Sequence, residues 1–194
     1  MLGLLAQQTQ RHHAAADGDR LAIMERPTRE RYRELLVQIY CFEAPIEAAW
    51  IATEGLDRRI LRSHLKASRL AGDLDALGVA AHAAAVVDVP HFEAPADALG
   101  WLWVLHRNTL LHGLIHRYLL TELVDTARSA GAYLSAFDGR AGALMRELGA
   151  ALDRVARRVS IAERILAAAN EAFRVQRQWY SCAPLPHVTS RQAA

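Results

Sequence analysis

Cysteine is scarce: 194 residues contain two, Cys41 and Cys182. That scarcity excludes a disulfide framework and a paired CxxC metal knuckle, and it suits a reducing compartment. Charge of one sign is also lacking. With 23 Lys+Arg against 21 Asp+Glu the formal net charge is +2, too small to steer the chain towards nucleic acid or a membrane surface. No continuous apolar run reaches the ~18 residues of a membrane span, and the opening MLGLLAQQTQ has only a short apolar run with no basic flank. A cytoplasmic protein without nucleic-acid or membrane partners is therefore expected. Strand-like alternation is missing as well, which excludes a sheet-based domain.

What remains is helical. The chain is 52% hydrophobic and 23% charged, a globular balance, and it is long enough to bury one continuous core without metal or disulfide staples. After Pro27 and the candidate N-cap Thr28, the apolar residues Tyr32, Leu35, Leu36, Ile39, Tyr40, Phe42 and Ile46 step by threes and fours, as one buried helix face requires. Pro45 should kink that helix, because it has no N–H and crowds the carbonyl one turn back. Similar patterns cover about Leu2–Ala16, Asp57–Leu77, Asp97–Ala130, Gly139–Val155 and Ile161–Tyr180. The two prolines of VDVPHFEAPAD, Val87 to Asp97, mark a loop. One all-α domain over residues 1–183 follows, with 184–194 as a mobile tail.

In such a bundle, chemistry comes from side chains projecting between helices. His12 and His13 stand side by side, about 100° apart on a helix, so one of them can face the core. Thr9, His13 and Asp17, each four residues from the next, share a face. By spacing alone His13 also reads as a surface imidazole near a helix C-terminus. The stretch LHRNTLLHGLIHR, Leu105 to Arg117, places three more histidines in one helical block. His112 and His116 lie about 40° apart and His106 roughly 120° from His112, so all three cannot serve one site. HGLIH could grip a divalent ion, but it lacks the glutamate of HExxH and needs a third ligand. The simpler reading makes His112 and His116 core histidines bonded to backbone or a carboxylate such as Glu122, and His106 a solvent-facing or helix-contact residue. Cys41, between Tyr40 and Phe42, reads as a small apolar residue with an unreactive thiol. Trp101, Trp103, Phe173 and Trp179 read as core, part of which could wall a pocket.

Four blocks carry a resemblance: TQRHHAAAD (Thr9 to Asp17), RERYRELLVQIYCFEAPIEAAW (Arg29 to Trp50), DLDALG (Asp73 to Gly78) and ALGWLWVLHRNTLLHGLIHRYL (Ala98 to Leu119). In order and spacing, from about Leu4 to Tyr180, the chain resembles the bacterial heme oxygenases. The resemblance implies the all-α heme oxygenase fold, with heme b between a proximal helix and a kinked distal helix. It implies that His13, in the family's Thr-x-x-x-His pattern, is the proximal iron ligand, with Asp17 where the family commonly has a carboxylate. It further implies oxygen-dependent opening of heme to biliverdin, iron and CO, with a ferredoxin or reductase supplying electrons. Arg174 and Arg177 on the last helix are the candidates for the heme propionates.

The distal block departs from that pattern. Where the family reads like LYVLEGSTLGGRVI, this chain reads LWVLHRNTLLHGLI. His106 replaces the glutamate; Arg107, Leu111 and His112 replace three glycines, and Gly113 is displaced by one position. Glycines let a helix backbone lie close to a ligand, so these side chains bear directly on function. Three readings stay open: a heme oxygenase; a heme carrier or sensor, with His112 as a sixth iron ligand opposite His13; and a heme-free bundle of the same fold.

Overall fold

The computed structural model describes residues 1–79 and 86–182, and among these every regular element is helical. In chain order they are α1 (Leu2–Gln8), α2 (Gln10–Leu21), α3 (Arg29–Ala52), α4 (Arg58–His64), α5 (Ala67–Ala76), α6 (Pro95–Asn108), α7 (His112–Glu122), α8 (Val124–Ser129), α9 (Ala141–Val155) and α10 (Val159–Cys182). Short 3₁₀ turns occupy Ala22–Met24 and Thr109–Leu111. The tail expected at 184–194 lies outside the described residues.

Local chemistry sets the boundaries. Thr28 caps α3, its Oγ1 accepting from the Arg31 N–H at 3.2 Å, and Asp57 caps α4 through the Arg59 N–H at 2.8 Å. Helix α6 opens with Pro95 in its first turn, where the missing N–H costs nothing. The first helical block, expected over about Leu2–Ala16, is instead divided at Thr9, which ends α1 and starts α2, and α2 runs on to Leu21.

Pro45 leaves α3 continuous over its 24 residues. The carbonyl of Cys41, left without its intrahelical donor, accepts instead from the Val87 N–H at 3.0 Å. The proline thereby ties the segment before α6 to the middle of α3. Helix α3 is long and apolar enough on average to cross a membrane by length and composition, although Glu43 and Glu47 interrupt its apolar run, so the reading that no continuous apolar run reaches a span stands. In the structure half of its most apolar window is buried, and its two buried acids, Glu43 and Glu47, bind partners from other elements.

The apolar core has two lobes. In the first, α10 packs along α6 around Trp101, Leu102, Ile165 and Phe173. That approach is close enough to require glycine at position 100: a Cβ there would lie 2.5 Å from the Ile165 carbonyl and 2.7 Å from the Ala168 Cβ. The second lobe joins α3, α5, α7 and α8 around Tyr32, Leu36, Leu70, Ile115 and Tyr133. Trp179 and Tyr180 of α10 touch both lobes. Between the lobes run α2 and the segment α6–3₁₀–α7, whose interruption at Thr109–Leu111 is the kink expected of a distal helix.

Candidate functional site

Helix α2 faces the C-terminal end of α6, and His13 lies between them, half-buried. Its ring centroid is 5.6 Å from Phe173 and 6.2 Å from Trp103, and those two rings meet edge-on at 6.0 Å. Two of the four aromatics read as core thus wall His13. Trp101 is wholly buried, and Trp179 donates its indole N–H to the Gln38 carbonyl at 3.1 Å.

Thr9 fixes how the imidazole is held. Its hydroxyl donates to the Leu5 carbonyl at 2.7 Å, which uses its only proton, so its oxygen accepts from His13 Nε2–H at 3.0 Å. The free lone pair of His13 is then on Nδ1. Burial, then the Arg107 charge, holds His13 below the ordinary histidine range, with Asp17 opposing. A neutral imidazole with one free nitrogen is the form that binds a metal. His12 packs on the same ring, stacked on Phe173 at 5.3 Å, and accepts from Arg11 Nε at 3.1 Å.

Across from His13, Arg107 of α6 reaches Asp17 of α2 with both guanidinium nitrogens, at 2.6 and 2.8 Å. Such fork-to-fork pairing is the strongest geometry available to these groups. Cα atoms of α2 and of the Thr109–Leu111 turn come within 8 Å of each other. Helices α2 and α6 are therefore tied beside His13 by a side chain at a position where the resembling family has glycine.

The other expected site residues are dispersed. His112 is buried, but its ring sits 4.7 Å from that of Tyr133, and burial followed by Lys66 and Arg20 drives its pKa far down. It is thus placed against the second lobe, whereas His13 packs on Trp103 and Phe173. Leu111 packs into the second lobe. Gly113 lines a cavity of about 340 Å³ with His112, Arg117, Leu134 and Phe137. Arg177 approaches α2 through Asp19 at 3.5 Å, whereas Arg174 is exposed and paired with Glu171 on its own helix. Of the two arginines only Arg177 borders the His13 region.

Of the two readings of His106, the helix-contact one holds: it is 2% exposed, its Nε2–H donates to the Ala141 carbonyl of α9 at 3.0 Å and its ring meets His64 of α4 edge-on at 4.6 Å. Burial, with help from His64, pushes its pKa down to about 4. The carboxylate near His116 is Asp138, at 3.8 Å, rather than the exposed Glu122. The HGLIH pair diverges, and among the described residues no group of three His, Cys, Asp or Glu could hold a metal. Cys41 is buried and its thiol pKa is raised by burial, as an inert cysteine requires.

Sequence reasoning missed a buried polar cluster. Glu43, wholly buried, accepts from Arg20 at 3.0 Å, from Tyr133 at 2.8 Å and from Lys66. Burial opposes its ionisation, yet Lys66 and Arg20 outweigh that and hold its carboxyl below the usual range. One turn on, Glu47 accepts the Lys66 and Ala67 N–H groups at 2.8 and 3.1 Å. Asp73 accepts those of Ala132 and Tyr133 at 3.0 and 2.7 Å. The signal was present as two acids four residues apart on an apolar stripe.

Residues 1–181 match the family model described as Heme oxygenase. No curated protein and no solved structure matches the chain.

Proposed function

The chain belongs to the heme oxygenase family, and from that premise we propose that it binds heme b between α2 and the α6–α7 segment with His13 as the axial iron ligand. The observation that carries the proposal is His13 itself: an imidazole held below the ordinary histidine range, walled by Trp103 and Phe173, on a helix packed against the C-terminal end of α6. The donor set fits the group, since imidazole is a common iron ligand and the walls are apolar.

Bound heme would supply an iron able to bind and activate oxygen, the chemistry by which the family opens the ring to biliverdin, iron and CO. The chain's own part is to bind, orient and shield. To hold the iron through Nε2, His13 would give up its hydrogen bond to Thr9 and keep its proton on Nδ1. Asp17, one turn further along α2, is the carboxylate able to take the remaining N–H and so fix the ring, as ligating histidines generally require. Arg11 and Arg177, which border a small cavity beside His12 and Phe173, are the cations nearest to hand for propionates. An external ferredoxin or reductase is the electron source this reading needs.

A second reading keeps heme binding without ring opening. It is favoured by Arg107 and Leu111, which put side chains where family glycines leave room over the ligand. Addition of hemin to the purified protein, with His13→Ala alongside, tests both. A saturable one-to-one complex that needs His13 supports heme binding. Decay of that complex to a biliverdin band with ascorbate in air supports the oxygenase, and a stable complex supports the carrier.

A further inference from the structure

We infer that the Arg107–Asp17 pair is a clasp that holds the His13 cleft shut in the ligand-free protein, and that Asp17 changes partner, from Arg107 to His13, when a ligand enters. The inference rests on the reading of His13 as the iron ligand, and it goes beyond that reading by assigning a closed state and the contact that must part.

Three observations converge. The clasp joins opposite walls of the cleft: Asp17 lies one helical turn past His13 on α2, Arg107 ends α6, and the two bonds are bidentate. The imidazole is parked, with Nε2–H held by a threonine whose own proton is already committed to Leu5. The rings of His13, Trp103 and Phe173 then occupy the same space, all within 6.2 Å of one another. A ligand approaching His13 from the α6 side has to part Trp103 or the Arg107–Asp17 pair from α2.

Asp17 cannot serve both partners fully. While both its oxygens face the guanidinium, the carboxylate is spent on the clasp. Once Arg107 is displaced, the same carboxylate is free for the imidazole N–H one turn away. Opening the cleft and orienting the ligand are thus two states of one residue. The pair is well placed for this, because the Arg107 and Asp17 side chains are 14% and 31% exposed: water can take over either partner, which it could not do for Glu43.

The assignment predicts different outcomes for the two halves of the clasp. Arg107→Gln should speed hemin association about tenfold, because the closed state loses its charge-assisted bonds, and should retain hemin at least as well as the parent. Asp17→Asn should speed association similarly but release hemin faster, since the carboxylate partner of His13 is gone. Arg107→Lys, which keeps the charge without the fork, should fall between Arg107→Gln and the parent. Stopped-flow hemin binding reads the rates. Amide hydrogen exchange along α2 in the ligand-free proteins reads the closed state independently, with faster exchange expected in both Arg107→Gln and Asp17→Asn. Unchanged far-UV circular dichroism separates these effects from misfolding.

Unchanged exchange along α2 in both variants overturns the clasp, whatever hemin does. If the parent and every variant fail to bind hemin, the His13 reading falls, while the exchange data still decide whether the clasp closes α2 onto α6. Faster association without faster hemin release in Asp17→Asn keeps the clasp and removes the partner exchange.

Discussion

Two ion-paired groups lie within this one bundle and are built on opposite terms. Around Glu43, two cations and a tyrosine converge on one wholly buried carboxylate, while near His13 a single fork, Arg107 on Asp17, joins α6 to α2 where water reaches both side chains. A buried charge that loses its partner is stranded in a low-dielectric interior, whereas a partly exposed one is rehydrated. The first group therefore fixes the fold and the second is free to change. The family's chemistry is expected where the structure can yield.

The sharpest way to break the comparison is to remove a charge from each group and compare the costs. Glu43→Ala strands Arg20 and Lys66 and should lower unfolding stability by about 3–5 kcal/mol, enough to unfold a marginal domain; Arg107→Gln should cost about 0–1 kcal/mol. Urea denaturation of both variants checks this, and similar costs would erase the distinction.

Acid should weaken the buried side selectively. His106 titrates at about 4 in the fold, well below the 6.5 of an unfolded histidine. In the window between these values the unfolded chain binds a proton that the native chain does not, so stability falls as pH falls from about 6.5 to 4, by up to about 3 kcal/mol from this residue. Buried His64 and His112, also shifted down by desolvation, act in the same direction. Stability measured at pH 7.5 and 5 should show the loss, and His106→Gln should reduce it.

Packing gives a charge-free control in the first lobe. Gly100→Ala must push α6 from α10, because its Cβ would meet the Ile165 backbone at 2.5 Å, and should cost about 1–3 kcal/mol in thermal unfolding. The smallest effect is expected at the edge of the fold: Thr28→Ala removes one cap bond to Arg31 and should cost about 1 kcal/mol. An equal loss from Thr28→Ala and Gly100→Ala would contradict the close contact of α6 and α10.

Much of this was legible in the sequence, and the reason is physical. The 3.6-residue period, Thr28 and the loop prolines are local signals, and the helices follow them. His13, Trp103 and Phe173 were also singled out, because residue type and helical face are local properties. What was hidden depends on partners far along the chain. Arg107 was visible as an arginine in a glycine position, but its partner Asp17 is 90 residues away. The Glu43 cluster draws on Arg20, Lys66 and Tyr133 from three other segments. Whether His106 faced solvent or another helix stayed open for the same reason, since the acceptor that lets it be buried is the Ala141 carbonyl, 35 residues on. That the Val87 N–H satisfies the Cys41 carbonyl freed by Pro45 was likewise hidden, because that donor is 46 residues away.

The central claim is that His13 is the iron ligand of a cleft that opens. Hemin titration followed by absorption spectroscopy, on the parent and on His13→Ala with rescue by free imidazole, tests it most directly. The account predicts one hemin per chain, loss of the axial-ligand spectrum in His13→Ala, and its return with imidazole. Binding of equal strength and identical spectrum in His13→Ala would contradict it.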